Sequence, residues 1–247
     1  MEGQPVRRIA DPLAPTGFPG TQPFQCGSNE VVLVIGGMGP KGARAKAEGV
    51  LGQGLSSAQS RRPDAVLIIG LCGGLTPSLP EGRIVSYTEC QSTEDTKPPL
   101  RCSKPITDSV VALLTSSKIQ CGRVVGITSS LIATNRDERL ALARSGAGVV
   151  GMETYPILDV AATVGVPAAV LRVVSDSIER DVPDFNRALN DAGALDGRKA
   201  LKVALGSPIR TLKLLAANKR AMQHLAKALE IVLSSDCFVQ AASPELH

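Results

Sequence analysis

Apolar residues in this chain fall into short blocks whose period changes along the sequence. Val31–Ile35 (VVLVI) is an unbroken, largely β-branched run, the pattern of a strand covered on both faces. Lys41–Leu55 follows with Ala, Lys and Glu at helical spacing. Asp64–Ile69 (DAVLII) is a second buried strand, ending at the glycine-rich GLCGGL. Arg83–Tyr87, Cys121–Ser129, Gly148–Met152 and Pro167–Val174 read as further strands. Between them, Thr107–Ser116, Arg136–Ser145 and Ile157–Val164 read as helices, and TEDTKPPLRCSKP as a loop. Strands alternating with helices in this way predict an α/β fold on a mainly parallel sheet.

The ends differ from the middle. Residues 1–30 are rich in Pro and Gly without periodicity and read as an irregular N-terminal arm. Residues 31–235 form one expected domain, and 236–247 a C-terminal tail. Two helices, Ala200–Leu205 and Ile209–Leu233, are separated by Gly-Ser-Pro. In the longer one Leu215, Met222, Leu225, Leu229 and Val232 share a face, expected to pack on the sheet or on a partner subunit. The alternative is a membrane-surface helix whose basic polar face favours anionic lipid.

Composition narrows the function classes. Aromatic residues are 2% of the 247, which argues against the stacking platforms of single-strand nucleic-acid binders. The net charge of +4 is mild and no basic tract stands out, so nucleic acid is not an expected partner. Six cysteines include no C-x-x-C pair and no His at zinc spacing, the usage of reduced thiols without a structural metal. The N-terminus lacks the apolar core of a secretory signal, and no apolar run reaches the roughly 18 residues of a membrane span. A cytoplasmic location is expected.

Gly37-Met38-Gly39-Pro40-Lys41-Gly42 spells G-x-G-x-x-G after a strand. A dinucleotide site also needs a carboxylate at the end of the second strand, and that place reads Ile68-Ile69-Gly70-Leu71. No G-K-[ST] follows either, so neither nucleotide loop is met. The glycines Gly37, Gly39, Gly73 and Gly74 nevertheless lie where strands end, the edge at which open α/β sheets bind ligands with bare N–H groups. Two acids share that edge. Glu153 follows Val149–Met152 and Asp176 follows Val173-Val174-Ser175. Each is either a site carboxylate or the cap of a following helix.

The glycine turn, GLCGGLTPSLPEGRIV, and GMETYPILDVAATVGVPAAVLRVVSD at their spacing resemble the nucleoside phosphorylase/nucleosidase superfamily, which includes purine nucleoside phosphorylases and methylthioadenosine/adenosylhomocysteine nucleosidases. The most specific part is Met-Glu followed some 20 residues later by R-x-x-S-D. The tail SPIRTLKLLAANKRAMQHLAKALEIV is most similar to the hopanoid-associated phosphorylase branch, for which an adenosyl-lipid substrate is implied. The resemblance implies a three-layer sandwich around a mainly parallel, mixed sheet, here with the first strand missing. It implies cleavage of the N-ribosidic bond of a purine nucleoside by phosphate or water, with no cofactor other than phosphate as a co-substrate, in a homo-oligomer. Met152 and Glu153 would hold the ribose, and Asp176 would give a proton or a hydrogen bond to the leaving purine. Leu131 and Ile132 would contact the base. Gly37, Gly39, Gly73 and Gly74 would line the sugar and nucleophile side.

Such chemistry suits these residue types. Breaking the bond puts positive charge on the sugar and negative charge on the base, and an acid at the base contributes about 10²–10⁴-fold. The sequence also departs from the family. Phosphorylases carry Arg in the second strand and Ser or Thr in the glycine turn, where this chain has Ile68 and Leu71. The candidate replacements are Arg44, Arg83 or a neighbouring subunit. The Glu of a preceding first strand, used by hydrolytic members, has no counterpart, since Glu30 and Glu48 stand in other contexts. Gly151 replaces an acid often found before Met-Glu. A nucleoside-binding protein without catalysis, or an unrelated α/β enzyme, are the competing readings.

Overall fold

Nine strands and six helices make up the described part of the fold. In the computed structural model this comprises residues 11–12, 23–36, 39–52, 63–94, 96–190, 196–236 and 238. In chain order the elements are β1 (Asp11–Pro12), β2 (Pro23–Cys26), β3 (Asn29–Val32), α1 (Pro40–Ala47), β4 (Val66–Gly74), β5 (Ile84–Ser92) and β6 (Leu100–Arg101). There follow α2 (Lys104–Ser116), β7 (Cys121–Thr128), α3 (Arg136–Ala143), β8 (Val149–Gly151), α4 (Thr154–Thr163), β9 (Ala168–Asp176), α5 (Gly197–Gly206) and α6 (Pro208–Leu233).

The central sheet runs β6-β5-β7-β8-β4-β9 and is mixed: β5–β7, β7–β8 and β4–β9 are parallel, while β4–β8 and β5–β6 are antiparallel. β9 also pairs antiparallel with β5 through Ile84↔Val173 and Ser86↔Leu171, so five strands close into a ring. Helices cover it on two sides, as the three-layer expectation requires. Along β9 the side chains alternate, as the period of two demands. Ala169, Leu171 and Val173 pack with Ile106, Val110 and Leu114 of α2 and with Leu225 and Leu229 of α6. Ala168, Val170 and Val174 pack with Tyr155 and Leu158 of α4 and Ala47 of α1. All nine residues of β9 are buried, which is why PAAVLRVV reads as a continuous apolar run.

The structure corrects the sequence reading in three places. Val31–Ile35 is not a strand of the central sheet: Val31 and Val32 belong to β3, which pairs antiparallel with β2, and Ile35 is 60% exposed. Part of the expected irregular arm is ordered instead, because Pro23–Cys26 supplies the partner strand and buries Phe24 and Cys26. Asn29 Nδ2 then donates to Leu233 O and Ser235 O, at 2.8 and 2.7 Å, tying this hairpin to the end of α6. Among the described residues, β4 is the first strand of the central sheet. The glycines of GLCGGL, finally, are not a turn after the strand. β4 runs through them and ends with Gly73 and Gly74.

Candidate functional site

Gly73 is the junction of the site. It pairs with Val150 of β8 on one side and with Asp176 of β9 on the other. A Cβ here would stand 3.2 Å from both Asp176 Oδ2 and Val150 Cγ1, so any side chain would crowd the carboxylate. At Gly74 it would stand 3.0 Å from Leu79 O. The ladder slips between Cys72 and Gly73, leaving Ser175 as the extra residue of a bulge, a device that re-aims the next side chain. Ser175 Oγ donates to Cys72 O at 3.1 Å and contacts Asp176 Oδ1. Asp176 caps no helix. It ends a strand.

Its carboxylate is committed to a second charge. Arg139 Nη2 forms an ion pair with Asp176 Oδ2, with side chains 2% and 11% exposed. Arg139 Nη1 also donates to Ser177 O at 2.9 Å and, at 3.4 Å, to Gly74 O and Asp176 O. Helix α3 aims Arg139 from a reciprocal cap: Asn135 accepts from Glu138 N at 3.0 Å, and Glu138 Oε2 accepts from Thr134 N at 2.7 Å. The sequence reading missed Arg139. In RDERLALA it is one of four charged residues of a short helix, and local pattern alone does not distinguish it from a solvated one.

Glu153 occupies the N-cap position of α4, yet its side chain makes no cap bond. Oε1 instead accepts from Gly39 N at 3.3 Å, and Oε2 lies 3.7 Å from Arg172 Nη1. Gly39 has φ +86° and ψ 161°, a conformation open to glycine and costly for other residues. The backbone of Gly39 therefore meets the second candidate carboxylate. Arg172, its side chain 4% exposed, donates from Nη1 to Leu71 O at 3.1 Å and from Nη2 to Thr154 Oγ1 at 2.9 Å. It is a buried cation on the Glu153 side of the site, marked in the sequence only as the Arg of R-x-x-S-D. A lone Arg inside an otherwise apolar strand was the available signal, since burying that charge demands partners.

Met152 is half-buried between β8 and α4. Leu131 is 58% exposed and Ile132 half-buried, in a loop clamped by Asn186. Ile132 N donates to Asn186 Oδ1 at 2.8 Å, and Asn186 Nδ2 donates to Ile132 O at 2.9 Å. Gly37 lies outside the described residues. A cleft of about 670 Å³ opens next to the loop, lined by Thr134, Asn135, Val182, Arg187 and Lys199 among others, but not by Glu153 or Asp176. Arg44, a candidate anion ligand, is engaged by Asp159 and Glu48, and these acids hold its guanidinium firmly protonated. Among the described residues no three His, Cys, Asp or Glu side chains gather as metal ligands. The thiols beneath the site are protonated at neutral pH: burial pushes Cys72 and Cys102 up to about 12 and Cys90 to about 11.

The model of the phosphorylase superfamily matches residues 15–203, about three quarters of the chain. No curated protein matches the chain in sequence. Among solved structures, futalosine hydrolase of Helicobacter pylori superposes with a TM-score of 0.68 at 15% identity, over 94% of this chain and 92% of that one. The 5′-methylthioadenosine/S-adenosylhomocysteine nucleosidase of Neisseria meningitidis gives 0.69 at 13% identity, over 94% of both chains. The nucleosidase of the same description from Helicobacter pylori gives 0.67 at 15%, over 94% and 92%. At these identities the likeness is one of fold.

Proposed function

The chain belongs to the phosphorylase superfamily, and from that premise we propose that it cleaves the N-ribosidic bond of a purine nucleoside. The observation that carries this reading is the junction at Gly73, whose two strand partners lead to Met152-Glu153 on one side and to Asp176 on the other. A nucleoside needs such a pair: one carboxylate for the sugar and one for the base.

In this reading Glu153 accepts hydrogen bonds from the ribose hydroxyls, giving up its long bond to Gly39 N, while Met152 packs on the sugar. Negative charge there favours the positive charge that builds on the ribose as the bond breaks. Asp176 serves the base. The Asp176 carboxylate is ion-paired with Arg139 at Oδ2, so it must part from that guanidinium and take up a proton from solvent before it can pass one to the leaving purine. Arg139 is a positioning residue that holds Asp176 in readiness. Leu131, exposed on a loop whose backbone Asn186 fixes at Ile132, covers the base. On the opposite side Arg172, beside Glu153, orients the nucleophile and stands in for the phosphate ligands that Ile68 and Leu71 do not supply. The hydrolase and nucleosidases of similar fold support water as that nucleophile.

The test is base release, read by chromatography, from adenosine, inosine and 5′-substituted adenosines (an adenosyl-lipid among them), with and without phosphate. Release without phosphate makes the protein a nucleosidase. Release only with phosphate makes it a phosphorylase. Tight nucleoside binding with no release from any of them would overturn the catalytic reading and leave a nucleoside-binding protein.

A further inference from the structure

Helix α5 and the first half of α6 hold no fully buried residue. No residue of α5 is buried, and in α6 burial begins only at Ala217. Leu201, Leu205, Ile209, Leu212 and Leu215 are 53–71% exposed, and they make up five of the eight exposed large apolar side chains among the described residues. Isolated exposed leucines are ordinary, but five within fifteen residues are a concentration of exposed apolar side chains that calls for a partner. Ile209, Leu212 and Leu215 span an arc of about 120° on α6, the width of an interfacial stripe.

Charge says what covers it. From Gly197 to Leu229 the chain has eight Lys or Arg, five of them (Arg198, Lys199, Lys202, Arg210 and Lys213) in the stretch that carries the leucines, and no Asp or Glu; Arg210 lies 3.7 Å from Asp181. The net +4 of the whole chain is therefore +8 in this segment against −4 everywhere else. A two-fold contact with a second copy would set this cationic segment against itself. An anionic surface with an apolar interior complements both features at once. None of the described helices is long and apolar enough to cross a membrane, so such a contact lies along the surface.

We propose that α5 and the first half of α6 dock on an anionic lipid bilayer, leucines in the acyl boundary and Lys and Arg among the headgroups. The contact is independent of the catalytic reading, since neither Glu153 nor Asp176 lies on these helices. The test is co-sedimentation of the full chain with vesicles of phosphatidylcholine alone or with about 30% phosphatidylserine, at about 0.1 and 0.5 M NaCl. Binding is expected to the serine-lipid vesicles at low salt, and to weaken at least tenfold without that lipid or at high salt. Leu205→Glu with Leu212→Glu should weaken it at least tenfold while leaving the circular-dichroism spectrum unchanged, both sites being exposed. Lys202→Glu with Lys213→Glu should remove the dependence on serine lipid. No sedimentation with anionic vesicles, or equal sedimentation of the Leu double variant, would overturn the proposal. An oligomer that the Leu double variant dissociates, with vesicle binding unchanged, would assign the patch to a second copy instead.

Discussion

Replacing Arg139 by Met tests the electrostatics of the site directly. Met keeps most of the side-chain length and removes the guanidinium, leaving Asp176 buried against Gly73 with its ion-pair partner gone. Removing one partner of a buried pair typically costs about 3–5 kcal/mol, because the remaining charge is stranded. Three carbonyls, those of Gly74, Asp176 and Ser177, lose a donor as well, which places the expectation in the upper half of that range. A control sits on the same helix: Arg136 pairs with Glu179, both side chains 58% exposed, so Arg136→Met should cost about 0–1 kcal/mol. The assay is urea unfolding. With a slope of about 2–3 kcal/mol per M, Arg139→Met should lower the midpoint by about 1–2.5 M and Arg136→Met by under about 0.5 M. Adding Asp176→Asn to Arg139→Met removes the stranded charge, and the cycle should return a coupling of about 2 kcal/mol. Equal midpoints for the two Arg variants, or a coupling near zero, would refute the buried pair.

Asp176→Asn alone should lower kcat for nucleoside cleavage by about 10²–10⁴-fold with a much smaller change in KM, measured by steady-state base release; an unaltered kcat would remove Asp176 from catalysis. Gly126→Ala should destabilise by about 1–3 kcal/mol, because its Cβ would meet the Tyr87 ring at 2.0 Å; a variant as stable as the parent in urea would show that the ring can retreat. Stability should also fall on the alkaline side. Burial raises the thiols of Cys72, Cys90, Cys102 and Cys121 from an ordinary value near 9 to about 11–12. The unfolded chain therefore loses these protons first, and their stabilisation, complete below pH 9, declines as the pH rises from 9 towards 12. The slope should be about 1.4 kcal/mol per pH unit for each thiol, read from urea midpoints across that window; a flat profile would mean the thiols are solvated.

What the sequence determined by itself was local and periodic. Runs dominated by aliphatic residues located β4 and β9, because strands covered on both faces favour apolar side chains, and the helical spacing of Arg136–Ser145 and Ile209–Leu233 located α3 and α6. The motifs also marked Glu153 and Asp176, since a carboxylate after an apolar strand is conspicuous in a one-dimensional pattern. Tertiary structure decided what no local pattern encodes. Whether VVLVI enters the central sheet depends on which strands remain to pair with it, and Val31 and Val32 pair with β2. Closure of the ring through β5 and β9 joins residues 85 to 89 positions apart. Arg139 looks in sequence like any charged residue of a short helix, and Arg172 stands out only as a lone charge in an apolar strand, because burial of a charge is set by what packs over it rather than by its neighbours along the chain. Their carboxylate partners, 37 and 19 residues away, became visible only when the strand ends met at Gly73.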